Sequence, residues 1–220
     1  AIKRYTANAD NTITNAYKED FNNRGTGSNM GFSDILETFS LYAHRDSSSA
    51  ELSRIMVQFP VSDISSDRTS GKIPASGSVN FYLKLYNAET SKTVPRSYTL
   101  EVLPIRQDWQ EGNGLDLESY KDVTKGNIGS NWMSASNTVQ WLRADGQTTV
   151  GGAYLTGTSA PQFKQAFETG LENLEIDISP LVEHWIAGTK DNYGVGVMLS
   201  SSYEAFYSAS NDNEHEPLHT

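Results

Sequence analysis

Acidic side chains gather in one loop of the 220-residue chain, around glycines at positions 112 and 114. Paired carboxylates act as acid and base in glycoside hydrolysis, and oxygen-rich loops hold calcium. Carboxylates also cap turns in solvated loops, and this simpler interpretation is favoured. The acidic residues are Glu111, Asp116, Glu118 and Asp122, and a glycan-cleaving site would centre on Glu111 and Asp116.

Two further polar sets are candidates for metal binding. The first comprises Asp10, Asn11, Asn22 and Asn23, for which turns are again favoured over calcium. The second comprises His215 and His219 in the polar tail, where a flexible segment rarely fixes the geometry of a transition-metal site. We therefore predict no metal ligand and no cofactor, with structural calcium as the open alternative.

Aromatic side chains are the better candidates for binding. Trp109 and Trp132 lie in polar loops, where an indole can stack on a sugar ring or pin the loop to the core. Tyr82 and Tyr86 alternate on the polar side of a predicted strand. Because protein interfaces are enriched in tyrosine, we expect these two to contact a partner. The sequence thus offers two candidate ligand-binding residues and two candidate interface residues.

Composition narrows the function classes. The sequence contains no HExxH or GxSxG motif, no phosphate-cradling glycine loop and no cysteine, so it supports no enzyme. The formal net charge of −10 argues against nucleic-acid binding, which needs a basic face. No run of about 18 apolar residues is present, so we predict no membrane span.

The clearest structural pattern runs from Leu171 to Leu199. Leu174, Ile176 and Ile178 alternate with polar residues, which indicates a strand with one buried face. Ser179 stands where a helix N-cap is expected and Pro180 follows at the first helical position. The pattern predicts a short helix near residues 180–187, followed by a returning strand.

The remaining pattern is that of an all-β protein. Short alternating runs joined by turn-rich loops predict an antiparallel β-sandwich of jelly-roll type. Predicted strands include 34–44 and 78–86, with single helical turns at 61–65 and 163–167 and a short strand at 205–208. We expect an N-terminal arm over 1–9, one domain over 10–209 with a long polar loop at 108–152, and a tail over 210–220. The tail is expected to be truncated, or else completed by a strand from a neighbouring subunit.

Several segments, taken together, resemble the DNRLRE-type module, a disaggregatase-related β-sandwich often found as a carbohydrate-binding appendage. The similar segments are DNTITNAY, NNRGTGSNMG, SRIMVQFPVSDI with IPASGSVNFYLKLYNAE, WQEGNG, and LEIDISPLVEHWIAGTKDNYGVGVML. They cover most of residues 10–200 in the order of the family. The resemblance implies a single sandwich with the short helix over one end, and it carries over no catalytic residue.

The opening AIKRYT and the run SNMGFSDILETFSLYA also resemble structural proteins of marine tailed phages. This similarity implies a non-enzymatic virion surface component, such as a capsid decoration, tail or fibre-associated subunit. Its partners would be other virion proteins or copies of itself, with a host glycan as an additional ligand. The start of the chain lacks the features of a secretory signal, so we expect a protein made in the host cytoplasm and located in the virion. The alternative is an extracellular carbohydrate-binding module of a secreted or cell-surface protein.

Overall fold

The computed structural model describes residues 2–90, 94–115, 119–126, 128–157, 160–204 and 218–219. Strands dominate these residues, and all their pairings are antiparallel. The strands are β1 (Ala9–Thr14), β2 (Phe39–Tyr42), β3 (Ala50–Gln58), β4 (Tyr82–Leu85), β5 (Tyr98–Pro104), β6 (Trp141–Leu142), β7 (Thr148–Thr149), β8 (Phe163–Phe167), β9 (Leu174–Asp177), β10 (Val195–Leu199) and β11 (Leu218–His219).

Three helices complete the described elements: α1 (Val61–Thr69), α2 (Ser179–Ile186) and α3 (Ser201–Glu204). Helix α2 matches the predicted helix, and its apolar stripe buries Leu181, Val182 and Trp185. The part of the chain that the structure describes contains no helix long and apolar enough to cross a bilayer.

A seven-stranded sheet forms the centre of the molecule. Strand β3 pairs with β1, β2 and β10, and the sheet continues from β10 to β5 and β8 and from β2 to β11. The register places Val197 opposite both Ile55 and Val102, so apolar side chains form a row across three strands. Side chains alternate between the two faces of a sheet, and apolar groups lie on both faces of this one.

The first core covers one face of this sheet. The two-stranded sheet β4–β9 and helix α2 lie over this face, with Ile64 of α1. Its main members are Ile55, Val57, Leu100, Val102, Val195 and Val197 from the large sheet, Leu83, Leu174 and Ile176 from the small sheet, and Leu181, Val182 and Trp185 from α2.

The second core lies on the opposite face and is built largely by the segment from Ile105 to Tyr154. Its members are Ile13, Met56, Ile105, Trp109, Trp132, Ala135, Trp141 and Ala153. The segment predicted as a long polar loop therefore carries three buried tryptophans and the small hairpin β6–β7.

The all-β class with antiparallel sheets is confirmed, and the sandwich or jelly-roll arrangement stays a prediction. Two local predictions are wrong. Residues 163–167 form strand β8 because they pair with β5 along five residues, and α1 runs to Thr69 instead of ending at Ser65. The predicted strand at 205–208 lies outside the described residues.

The cap predicted at Ser179 is also wrong. Ile178 occupies the N-cap position, and the Ser179 hydroxyl accepts a hydrogen bond from the backbone N–H of Phe81 at 2.7 Å. The same hydroxyl donates to Asp177. It therefore fastens the start of β4 to the start of α2.

The N-terminal arm is attached to the body of the protein. The side chains of Lys3 and Tyr5 both bind the carboxylate of Asp67 in α1. Tyr5 and Ala7 also pack against the first core. These contacts hold the pKa of Asp67 well below its usual value, chiefly through the hydrogen bond from Lys3.

Candidate functional site

A groove of about 570 Å³ opens into the first core. Its floor is formed by Ile55, Leu100 and Val197, which are at most 7% exposed. One wall is the segment 34–38 before β2, and the other is the end of β4 with the residues that follow it. This volume falls within the roughly 300–1,000 Å³ that ligand pockets occupy.

The groove exists because the small sheet covers only part of the large one. Strands β4 and β9 each have four residues, whereas the sheet beneath them includes strands of seven and nine residues. Helix α2 covers the part of the large sheet beyond the start of β4. The hydroxyl of Ser179 binds the backbone N–H of Phe81 there and holds the two elements together. Beyond Leu85, at the other end of β4, no described helix or strand covers the large sheet in this way. The floor of the groove lies there.

Strand β4 has one open edge. Within the described chain it pairs only with β9. Phe81 accepts a backbone hydrogen bond from Ile178, and Asn87 donates to the side chain of Asn173, so the odd-numbered backbone groups face β9. Because successive residues of a strand direct their N–H and C=O groups to opposite edges, those of Lys84 and Tyr86 face away from β9.

Of the two tyrosines predicted as interface residues, Tyr82 lies on the outer face of this edge strand and Tyr86 directly follows its last residue. Tyr82 is 56% exposed and Tyr86 is 67% exposed. Lys84, between them, forms an ion pair with Glu175 at 2.5 Å and lies 5.7 Å from the centre of the Tyr86 ring. Tyr86 also borders the groove, so the outer face and the groove meet at this residue.

The groove is apolar inside and acidic at its rim. Its described lining includes four carboxylates and no basic side chain; the acids are Asp34, Glu37, Glu89 and Glu172. Asp34 and Glu89 are exposed to solvent. Any cationic group near the mouth would therefore meet carboxylates on more than one wall.

Glu172 differs from the other acids of the rim. One of its oxygens accepts backbone hydrogen bonds from Glu168 and Thr169, and the bonds from Thr169 chiefly lower its pKa to about 2. The other oxygen, Oε2, is buried without a hydrogen-bond partner. Burial and the charge of Glu172 raise the pKa of Tyr98 to about 12. The groove thus holds an ionised carboxylate beside a neutral phenol.

The tryptophans predicted to bind sugar are not available for stacking. Trp109 and Trp132 are each 6% exposed and belong to the second core. The indole N–H of Trp109 donates to the carbonyl oxygen of Tyr193 at 2.8 Å, and the guanidinium of Arg54 covers the ring of Trp132 at 5.2 Å. Both rings are held inside the protein, so the prediction that they stack on a glycan is corrected.

Two carboxylates of the acidic loop accept hydrogen bonds from backbone N–H groups. Glu111 accepts a hydrogen bond from the backbone N–H of Asp10 at 2.9 Å, and Asp122 accepts one from Leu115. Burial, together with the charge of Glu111, raises the pKa of Asp10. Asp116 and Glu118 lie outside the described residues.

The predicted calcium set is divided between two places. Asn11 is buried and binds Ser130 and the N–H of Met30, whereas Asn22 and Asn23 lie in an exposed turn around Asp20. Across the described ranges, no group of three or more histidines or acids is arranged to hold a metal ion. His215 lies outside those ranges.

A polar centre that the sequence did not indicate lies beside this loop. The amide of Asn29 donates to the carbonyl oxygens of Glu111 and Ser130, and its oxygen accepts from the N–H of Gly114. Asn29 is 1% exposed. These bonds fix the loop around residues 111–114 against the turn that follows β1.

Sequence reasoning also missed the groove. Its walls come from segments around residues 36, 86 and 172, which are far apart in the chain. The strand predicted over 34–44 forms only over Phe39–Tyr42, and Ile35, which precedes it, is 48% exposed.

Comparison with known proteins adds no relative. No protein-family model, curated protein or solved structure shows significant similarity to the chain. The resemblance to the DNRLRE-type module stays a prediction.

Proposed function

We propose that this protein is a non-enzymatic structural and binding protein that works through protein–protein contacts. Its specific form, following the resemblance in sequence, is a virion surface component of a tailed phage. Its partners would be other virion proteins or further copies of itself. The observation that carries the proposal is the exposure of Tyr82 and Tyr86 on the outer face of an edge strand.

The chemistry of this face suits an interface. Tyrosine offers a large apolar ring with a hydroxyl that keeps a hydrogen-bond partner when water leaves. Interfaces are enriched in such residues at their centres and polar at their rims. Here Lys84 and Glu175 neutralise each other beside the rings, so the face presents apolar area without an unpaired charge at its middle.

The alternative function, a carbohydrate-binding module, loses the two residues on which it rested. Trp109 and Trp132 are buried; the indole N–H of Trp109 and the ring face of Trp132 are engaged within the protein. No other observation favours that function, so it is not proposed further.

Light scattering on the purified chain tests the proposal. The wild-type protein should associate to a defined oligomer as concentration rises, and the Tyr82→Ser/Tyr86→Ser variant should remain monomeric. Phe32→Ser is the control, because Phe32 is 62% exposed and lies outside β4 and β9, with its backbone N–H bound to the carbonyl oxygen of Gly114. Repeating the series with a calcium chelator reports any contribution of calcium.

A wild-type chain that stays monomeric and binds a polysaccharide tightly would overturn the proposal. Equal loss of association in the Phe32→Ser control would place the interface elsewhere and remove the role assigned to Tyr82 and Tyr86.

A further inference from the structure

We propose that the groove beside β4 binds an extended segment of a different protein, added as a strand along the open edge of β4. The segment would alternate apolar residues with lysine or arginine. This surface shares Tyr86 with the outer tyrosine face but is otherwise lined by different side chains, so the inference goes beyond the function proposed above and does not require self-association.

The apolar floor supplies the first argument. Ile55, Leu100 and Val197 belong to the first core, yet they line an opening that reaches solvent. Leu36 and Leu85 continue the apolar lining up the two walls. Side chains that entered from one face of an extended segment would bury this surface, at about 25 cal/mol for each Å² of apolar area.

The open edge of β4 supplies the second argument and selects an extended segment over a small molecule. The outward backbone groups of Lys84 and Tyr86 form no hydrogen bond with another described strand. An unpaired edge is a template for strand addition, in which backbone hydrogen bonds give affinity and alternate side chains enter pockets. The groove lies beside the end of this edge, where such side chains would enter.

The charge of the rim supplies the third argument. Asp34 belongs to the wall before β2, Glu89 belongs to the wall after β4, and Glu172 also lines the groove. Hydrogen bonds between an ammonium or guanidinium and a carboxylate are among the strongest available to proteins. A basic residue of the segment would meet the exposed carboxylates of Asp34 and Glu89.

The same charge argues against a second copy of this chain. The chain carries a net charge of −10, and its local excess of cations is the pair Lys3 and Arg4. Lys3 already binds Asp67 of its own chain. A different, basic protein is therefore the occupant that fits the groove.

Fluorescence anisotropy with labelled heptapeptides tests the inference on the full chain. The probes are acetyl-KVKVKVK-amide and acetyl-EVEVEVE-amide. The lysine peptide should bind at least about tenfold more tightly than the glutamate peptide, and its affinity should fall as salt rises, because exposed charges are screened. Equal affinities, or no binding of the lysine peptide, would overturn the proposal.

Two sets of modified reagents locate the binding. Asp34→Lys/Glu89→Lys should weaken the lysine peptide about tenfold, whereas Glu19→Lys/Asp145→Lys, which changes the net charge equally at remote exposed sites, should have little effect. N-methylation of the valines and N-methylation of the lysines block opposite edges of the peptide. Strand addition requires that one methylated series loses binding and the other retains it; loss or retention in both would overturn the strand geometry.

The proposed function and this inference can be tested independently of each other. Tyr82 does not line the groove, so Tyr82→Ser should leave peptide binding intact even where it abolishes self-association. Peptide binding without self-association would leave this inference standing and contradict the tyrosine face, and the reverse result would contradict the groove.

Discussion

Gly114 lies directly against Asn29. A Cβ atom on Gly114 would stand 1.8 Å from the carbonyl oxygen of Asn29, and the N–H of Gly114 donates to Asn29 Oδ1 at 2.8 Å. Gly112 is similarly confined, with a φ of +88° and a virtual Cβ 2.3 Å from the same Oδ1. The buried amide of Asn29 therefore occupies space that only glycines leave open.

Gly114→Ala should lower the free energy of unfolding by about 3 kcal/mol or more, because the added methyl must displace backbone instead of a flexible side chain. Gly27→Ala is the matched control, since a Cβ at position 27 meets nothing within 4 Å. That control should change stability by less than about 1 kcal/mol. Urea denaturation measures both, and equal effects would contradict the close approach at Gly114.

Trp109→Ala and Trp132→Ala should each destabilise the fold by about 3–5 kcal/mol, because truncating a buried aromatic leaves a cavity. Thermal and urea unfolding measure this loss. Affinity electrophoresis in polysaccharide gels supplies the opposing readout: a folded, fully stable variant that had lost glycan binding would restore the stacking role rejected for these residues.

Arg54 joins the second core to α3. Its guanidinium forms two hydrogen bonds with Glu204, at 2.6 and 2.8 Å, and a third with the carbonyl oxygen of Gly151. Glu204→Ala should cost about 3–5 kcal/mol, because it leaves a largely buried cation unpaired. Glu175→Ala, which removes the exposed partner of Lys84, should cost less than about 1 kcal/mol. Similar losses in the two variants would show that Arg54 is well solvated.

Tyr98 should limit stability in alkali. Its folded pKa of about 12 exceeds the unfolded value of 10.0, so its contribution is complete below pH 10.0 and is lost as pH rises through about 12. When the pH is raised from about 9 to about 11, the free energy of unfolding should decrease in both proteins. The decrease should be smaller in Tyr98→Phe than in wild type, by roughly 1 kcal/mol. The exposed Tyr82→Phe control should follow wild type, and identical pH profiles for all three would contradict the burial of the Tyr98 side chain.

The local sequence pattern was sufficient to predict strand β9 and helix α2. Leu174 and Ile176 alternate in β9, and Pro180 opens a helix whose apolar stripe is complete in itself. Strand β4 is shorter than its alternating sequence, because its partner β9 has only four residues. Residues 163–167 were misassigned because their strand character comes from pairing with β5, which no local period reports.

The exposure of the two tyrosines could be predicted from the sequence, whereas the groove could not. Alternation alone places Tyr82 and Tyr86 on the polar side of β4, and both are exposed. Trp109 lies in a stretch without a regular period, so the sequence could not distinguish a stacking platform from a core residue. The groove forms because the small sheet does not cover Ile55 and Val197. Local sequence patterns do not predict such a gap in the cover.

Strand β3 contributes to both cores, with Ile55 and Val57 in one and Met56 in the other. Its partners β1 and β10 also lock its backbone over residues 55–57. Amide protons there can exchange with deuterated water only when both layers separate at once. These protons should therefore be the slowest in the molecule and report its global unfolding, while those of β6 and β7 exchange through smaller local openings.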